Sequence, residues 1–289
     1  MSEFHGEPVG ILENEFLRLE YLLNSPRIVR LIPAGKKNIF ADLGRESLTT
    51  PYGDFYFRGG HRLWHAPEAF PRTYIPDNAG ATIRAIKDGV QIIQPVEPET
   101  HIVKSIEIAL DPGKAQVALN HTLRNDGSEA VLIAPWALSM MRLDGVAIIP
   151  QPVGDESVKL PNRNLVLWPY ASVNDSRLQL SDEAIIVHTE AKTPPLKLGC
   201  FCPQGWMGYW IDGTFFVKRF ANPDAVRNYP DWGCNVEIYC NDKFIELETL
   251  GPLTNLKSGV SVSHIETWEL YNTTKLDWIP VEQQKQIGE

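Results

Sequence analysis

The sequence predicts an all-β protein, a large antiparallel β-sandwich, on three observations. Apolar and polar residues alternate in short runs along nearly all of the 289 residues, while helical periodicity is almost missing. Turn chemistry, Asp-Gly and Pro-Gly among it, punctuates those runs at fairly even spacing. The apolar fraction is 43%, with eight Trp, enough to fill the core of such a sandwich and to exclude a disordered chain.

In chain order, residues 16–22 and 28–32 form a first strand pair around Asn24-Ser25-Pro26. Residues 82–86 and 90–94 flank Lys87-Asp88-Gly89, where Asp-Gly supplies the positive φ of a tight hairpin. Residues 101–110 and 116–123 flank Asp111-Pro112-Gly113-Lys114 as a second hairpin. Strands follow at 131–140, 146–150, 165–170 and 184–189. Residues 196–202 lead into a pair, 208–211 and 214–220, joined by Asp212-Gly213. Two runs around Asn241-Asp242 form the next hairpin, and 260–271 closes the sheet. No linker or charge block divides the chain, so one domain is expected over 1–276, with a frayed tail at 277–289.

The 241–242 hairpin is dense in carboxylates. A two-residue loop there pairs Cys240 with Lys243, sets Glu237 opposite Glu246 and Asn235 opposite Glu248, and puts Glu246, Glu248 and Phe244 on one face. Opposed carboxylates repel. Such a cluster needs a cation, a metal, a shared proton or open water, and is a candidate site on that ground.

A net charge of -9 argues against nucleic acid and anionic membrane as partners. The N-terminal stretch has no basic n-region or apolar h-region, no apolar run reaches membrane-span length, and four cysteines do not make a disulfide framework. A cytoplasmic protein with free thiols is expected. No GxGxxG, P-loop, GxSxG or HExxH is present, so no cofactor is called for. Cys200-x-Cys202 puts two sulfurs on one strand face but lacks the usual zinc spacing, so no metal is called for either.

Three other segments carry candidate chemistry. FRGGHRLWHAPE, 57–68, reads as a loop or strand end because Gly59-Gly60 implies a turn or close backbone approach. There His61 and His65 are acid or base candidates, Arg62 can fork onto a carboxylate or sugar hydroxyls, and Trp64 either stacks or plugs the core. In APWALSMM, 134–141, Trp136 is a sugar platform or ordinary core. In FFVKRF and the segment after it, Lys218 can neutralise the acidic cluster, and Asp231 with Trp232 can hydrogen-bond and stack against a ring.

Taken together, these pieces resemble the aldose 1-epimerase, or galactose mutarotase-like, superfamily, and more closely its uncharacterised bacterial branches. The likeness spans most of the chain and lies in the order of short motifs. GGHRLW, with Arg62, looks like the family's Asn-Arg segment, whose Arg binds the sugar, with His61 in place of the Asn. Leu247-Glu248-Thr249 resembles the stretch around the general base, and LKSGVSVSHIETWEL resembles the closing strand. One departure stands out: the mid-chain catalytic His of the family has no counterpart in IAPWALSMM. The resemblance implies a supersandwich fold and a small-molecule carbohydrate ligand. Glu248 would take the proton from the anomeric hydroxyl, and His61 or His65 would supply the acid that opens the ring. Two alternatives accompany this isomerase reading. One is a sugar-binding protein that lost catalysis with its His. The other is glycoside cleavage by a carboxylate pair, since Glu246 and Glu248 lie ~7 Å apart along one strand.

Overall fold

Alternation dictates that each strand offers one face to a partner layer, and the chain satisfies this by stacking two large antiparallel sheets. The computed structural model describes residues 2–152, 154, 157–221 and 228–273. The frayed tail expected at 277–289 lies outside them. Among the described residues, one sheet runs from Glu3–Phe4 and Glu7–Glu13 through Leu17–Leu22, Ile28–Pro33 and Gly60–Ala66 to Val131–Met141. It continues through Ile245–Leu250, Val236–Cys240, Leu196–Cys200 and Val166–Leu167. The other has Thr214–Phe220, Ser261–Asn272, Gln116–Asn125 and Ile102–Leu110 at its centre. Inward residues of both sheets, Leu31, Ile106, Leu119, Leu198, Phe216, Leu247 and Trp268 among them, form one buried core.

The hairpins expected at Asp88-Gly89, 111–114 and Asp212-Gly213 all form, the last with φ of 50° and 71° at its two loop residues. No helix among the described residues is long and apolar enough to cross a membrane. The four cysteines are buried and unpaired.

Two expectations are corrected. Gly60–Ala66 is neither a loop nor a strand end: it is an interior strand, buried at every residue, between Ile28–Pro33 and Val131–Met141. The glycines do mark a close approach. A Cβ on Gly59 would lie 2.0 Å from the Ala41 carbonyl oxygen, and one on Gly60 1.9 Å from that of Ile28. The second correction is the register of the carboxylate hairpin. Its loop holds four residues, so Cys240 pairs with Ile245, Tyr239 with Glu246, and Glu237 with Glu248. The cause is Asn241, whose Oδ1 accepts the Lys243 and Phe244 amides at 2.8 and 2.9 Å and stabilises the longer loop. A shift of two residues preserves the facing of every side chain.

A polar cluster sits between the sheets. His61 Nε2 meets His121 Nε2 at 2.8 Å, while His61 Nδ1 reaches Ser139 Oγ and His121 Nδ1 reaches the His264 carbonyl. Thr249 Oγ1 contacts both His264 and Glu266. Lys218 Nζ, from the second sheet, pairs with Glu266 at 3.1 Å and donates to the Ala137 and Leu247 carbonyls of the first. Burial alone would raise the Glu266 carboxyl, but Lys218 and the imidazoles outweigh it and hold the group below its usual range. Burial holds His61, His65, His121 and His264 below the ordinary imidazole value of 6.5, His264 at about 3.

A lowered imidazole contributes stability that is complete above the unfolded value and is lost as the pH falls toward the folded one. The raised carboxyls of Glu237 and Glu246 act in the opposite sense, but two groups do not cancel four. Unfolding free energy is therefore expected to drop by ~1–3 kcal/mol per pH unit between roughly pH 6.5 and 5. Urea denaturation across that window checks it, and a constant midpoint contradicts a core of neutral imidazoles.

Candidate functional site

Five adjacent strands of the first sheet turn their outward faces into one patch. Arg62, Leu138, Glu248, Glu237 and Gly199 form one cross-strand row. Gly60, Met140, Glu246, Tyr239 and Lys197 form the next. Loops and flanking segments raise walls around the patch to enclose a cleft of about 540 Å³. Its lining includes Trp64, Tyr74, Trp136, Tyr170, Tyr239 and Phe244.

Arg62 and Glu246 make a charged contact that faces the cleft. Arg62 Nη2 donates to Glu246 Oε1 at 2.7 Å, and the guanidinium lies 4.0 Å from the centre of the Trp64 ring. Burial raises the Glu246 carboxyl, with Arg62 opposing. Beside this pair, Lys197 Nζ reaches Glu248 Oε1 and Oε2 at 2.7 and 2.6 Å and Glu237 Oε2 at 2.8 Å. The ammonium also sits 5.3 and 5.0 Å from the rings of Trp136 and Trp168. Burial works against its charge, but the two carboxylates prevail and push the Lys197 pKa well above the ordinary lysine value. Glu237 is driven far upward, first by burial, with Glu248 adding to it and Lys197 opposing. Two carboxyls, one of them strongly raised, around one ammonium favour a proton held on Glu237.

The sequence candidates divide by facing. Arg62, Trp64, Trp136 and Glu246 line the cleft; Trp136 also donates from Nε1 to Glu248 Oε2 at 2.8 Å. Glu237 and Glu248 lie on the same face but fully buried under Lys197 and Trp136. Strand parity sends His61 and His65 to the opposite face, where His61 joins the intersheet cluster and His65 meets Glu97 at 3.2 Å. Neither can be the acid of a ligand bound in this cleft. Lys218 is likewise interior, neutralising Glu266 and not the acidic hairpin. Trp232 is 91% exposed; it and Asp231 take left-handed backbone in the short turn Pro230–Gly233, outside the cleft lining.

Sequence reasoning missed Lys197, because a single lysine among Leu196, Leu198 and Cys200 reads as a solvated strand face. It also missed Tyr74, Tyr170 and Tyr239, which come from three separated segments. As for metal ligands, His61, His121 and Glu266 offer atoms within 4.8 Å of one another. Their positions are satisfied within the protein, since the two Nε2 atoms bond each other and Lys218 neutralises the carboxylate.

Comparison with solved structures identifies the fold as that of galactose mutarotase-like proteins. A galactose mutarotase-like protein from Lactobacillus casei superposes with a TM-score of 0.55 at 10% identity, over 91% of this chain and 100% of the other. A provisionally assigned aldose 1-epimerase from Escherichia coli gives 0.57 at 11%, over 92% and 100%. A second provisional aldose 1-epimerase, from Klebsiella pneumoniae, gives 0.61 at 10%, over 95% and 82%. No family model matches the sequence, and no curated protein does.

Replacing Lys197 by Met leaves Glu237 and Glu248 opposed and buried without a cation. Loss of ~3–5 kcal/mol in unfolding free energy is expected, measured by denaturant titration at pH 7. A loss below about 1 kcal/mol would show that the pair is solvated and not buried.

Proposed function

We propose that this protein binds a small-molecule carbohydrate in the cleft over Arg62, Glu246 and Lys197. The observation that carries the reading is the pairing of aromatic walls with an oriented polar floor. Trp and Tyr rings supply stacking surfaces for the apolar faces of a pyranose, and Arg62, Glu246 and Tyr239 offer hydrogen-bonding groups at its edge. The volume, about 540 Å³, falls in the range of small-ligand sites. The fold's likeness to mutarotase-like proteins supports the same reading by analogy. The buried, unpaired thiols support a cytoplasmic setting.

Binding is better supported than turnover. No histidine among the described residues lines the cleft, and Glu248, the match to the family's base, is covered. A second reading, anomer interconversion, is favoured by one observation: Glu246 reaches the cleft with a raised carboxyl, as an acid–base group requires. In it a carboxylate takes the anomeric hydroxyl proton as the C1–ring oxygen bond breaks. Water gives the ring oxygen a proton, the carboxyl returns its proton to the hydroxide left behind, and rotation with reclosure gives the other anomer. Carboxylate-pair glycoside cleavage has less support, because Glu246 and Glu248 share one strand and Glu248 is sealed.

Calorimetry against a panel of hexoses is expected to show binding that weakens ~3–10-fold in Tyr239→Ala, the loss of one stacking ring. Saturation transfer NMR between anomers separates the two readings. Rates equal to those in buffer support binding alone, whereas acceleration abolished by Glu246→Gln supports interconversion. Absence of binding to any saccharide overturns both.

A further inference from the structure

The balance of charge in the cleft narrows the ligand class, an inference that rests on the saccharide reading above. The lining contains three cations, and each is already neutralised: Arg62 by Glu246, Lys197 by Glu237 and Glu248, and Lys243 by Glu46 at 2.7 Å. One lining carboxylate, Glu68, has no cationic partner among the described residues. Glu68 accepts only the Tyr74 hydroxyl, whereas Asp242, exposed on the 241–244 loop, adds to the negative charge beside Lys243. Tyr74, which donates to Glu68, and Tyr170 line the same cleft. Burial first, and then the Glu68 charge, raise the Tyr74 phenol far above its usual value, so it stays a neutral donor. Burial pushes Tyr170 up to about 12, and Glu68 contributes to that shift as well, which places this carboxylate within electrostatic reach of both rings. An unneutralised carboxylate in a cleft lined by aromatic rings is an arrangement that recognises an ammonium group, through charge and cation–π attraction together.

We propose that the cleft selects saccharides bearing a free amino group, with Glu68 receiving the ammonium, and discriminates against phosphorylated and acidic sugars. An anionic substituent would find no unpaired cation and would approach the unpaired Glu68 carboxylate. It could bind only by breaking the Arg62–Glu246 or Lys197 contacts, which leaves a carboxylate desolvated and unpaired. A neutral sugar meets neither reward nor penalty at Glu68.

Isothermal titration of matched ligands tests this: galactose, galactosamine, N-acetylgalactosamine, galactose 6-phosphate and galacturonate, with the same five in the gluco series. The expected order is the amino sugar tightest by about tenfold or more over the parent hexose. The N-acetyl and parent sugars should be comparable, and the two anions weakest. Glu68 is exposed, so Glu68→Gln should fold normally and should erase the amino preference while leaving the parent hexose unchanged. The preference should also fade above the pKa of the ligand amine. Equal affinity for amino and parent sugars, or a preference untouched by Glu68→Gln, overturns the proposal, as does tightest binding of the phosphate or the acid. In each of these cases saccharide binding itself stands. If no sugar binds, the saccharide reading fails first and takes this inference with it.

Discussion

One ammonium group organises the outward face of the first sheet. The pairing of Val236–Cys240 with Ile245–Leu250 brings Glu237 and Glu248 directly opposite each other, an arrangement that repels in isolation. Lys197, reaching from the adjoining strand, makes it tolerable. Gly199, paired with Glu237, leaves room beside that carboxylate: a Cβ there would lie 2.7 Å from Cys234 Sγ and 3.0 Å from Glu237 Cγ. The rest follows from that placement. Trp136 covers the pair and donates to Glu248, and the indole then forms part of the floor on which a ring can rest.

The two polar clusters have different chemistry although only one backbone layer separates them. Between the sheets, imidazoles and a lysine surround Glu266, and every charge is balanced by a close neighbour. This cluster joins the layers, since Lys218 grips carbonyls of the opposite sheet. On the outer face the balance is incomplete and rings replace imidazoles. Full satisfaction suits a structural centre, and surplus charge beside aromatic walls suits a place that awaits something.

Much of the architecture is legible in the residues. Asp212-Gly213 announces a tight hairpin because few other dipeptides tolerate its backbone; at Asp88-Gly89 only Asp88 is left-handed and Gly89 already pairs with Ile86, yet the hairpin forms where expected. Gly59-Gly60 correctly signals close approach, yet the local density of charge disguises an interior strand as a loop. Once that strand is recognised, parity alone separates His61 and His65 from Arg62 and Trp64. The hairpin register depended on the side chain of Asn241, a tertiary detail with no strong signature in the sequence. Lys197 was illegible for a different reason: its significance arises only when strands some forty residues apart become neighbours.

The strand Ile245–Leu250 contributes carboxylates to one cluster and Thr249 to the other, in strict alternation. Sliding it by a single position would push two acids into the intersheet core and strip the hydroxyl from Glu266 at the same time. Misthreaded intermediates are thereby penalised twice over. The sequence thus carries its own proofreading for this pairing, and the carboxylates beneath the cleft also disfavour a one-residue slip.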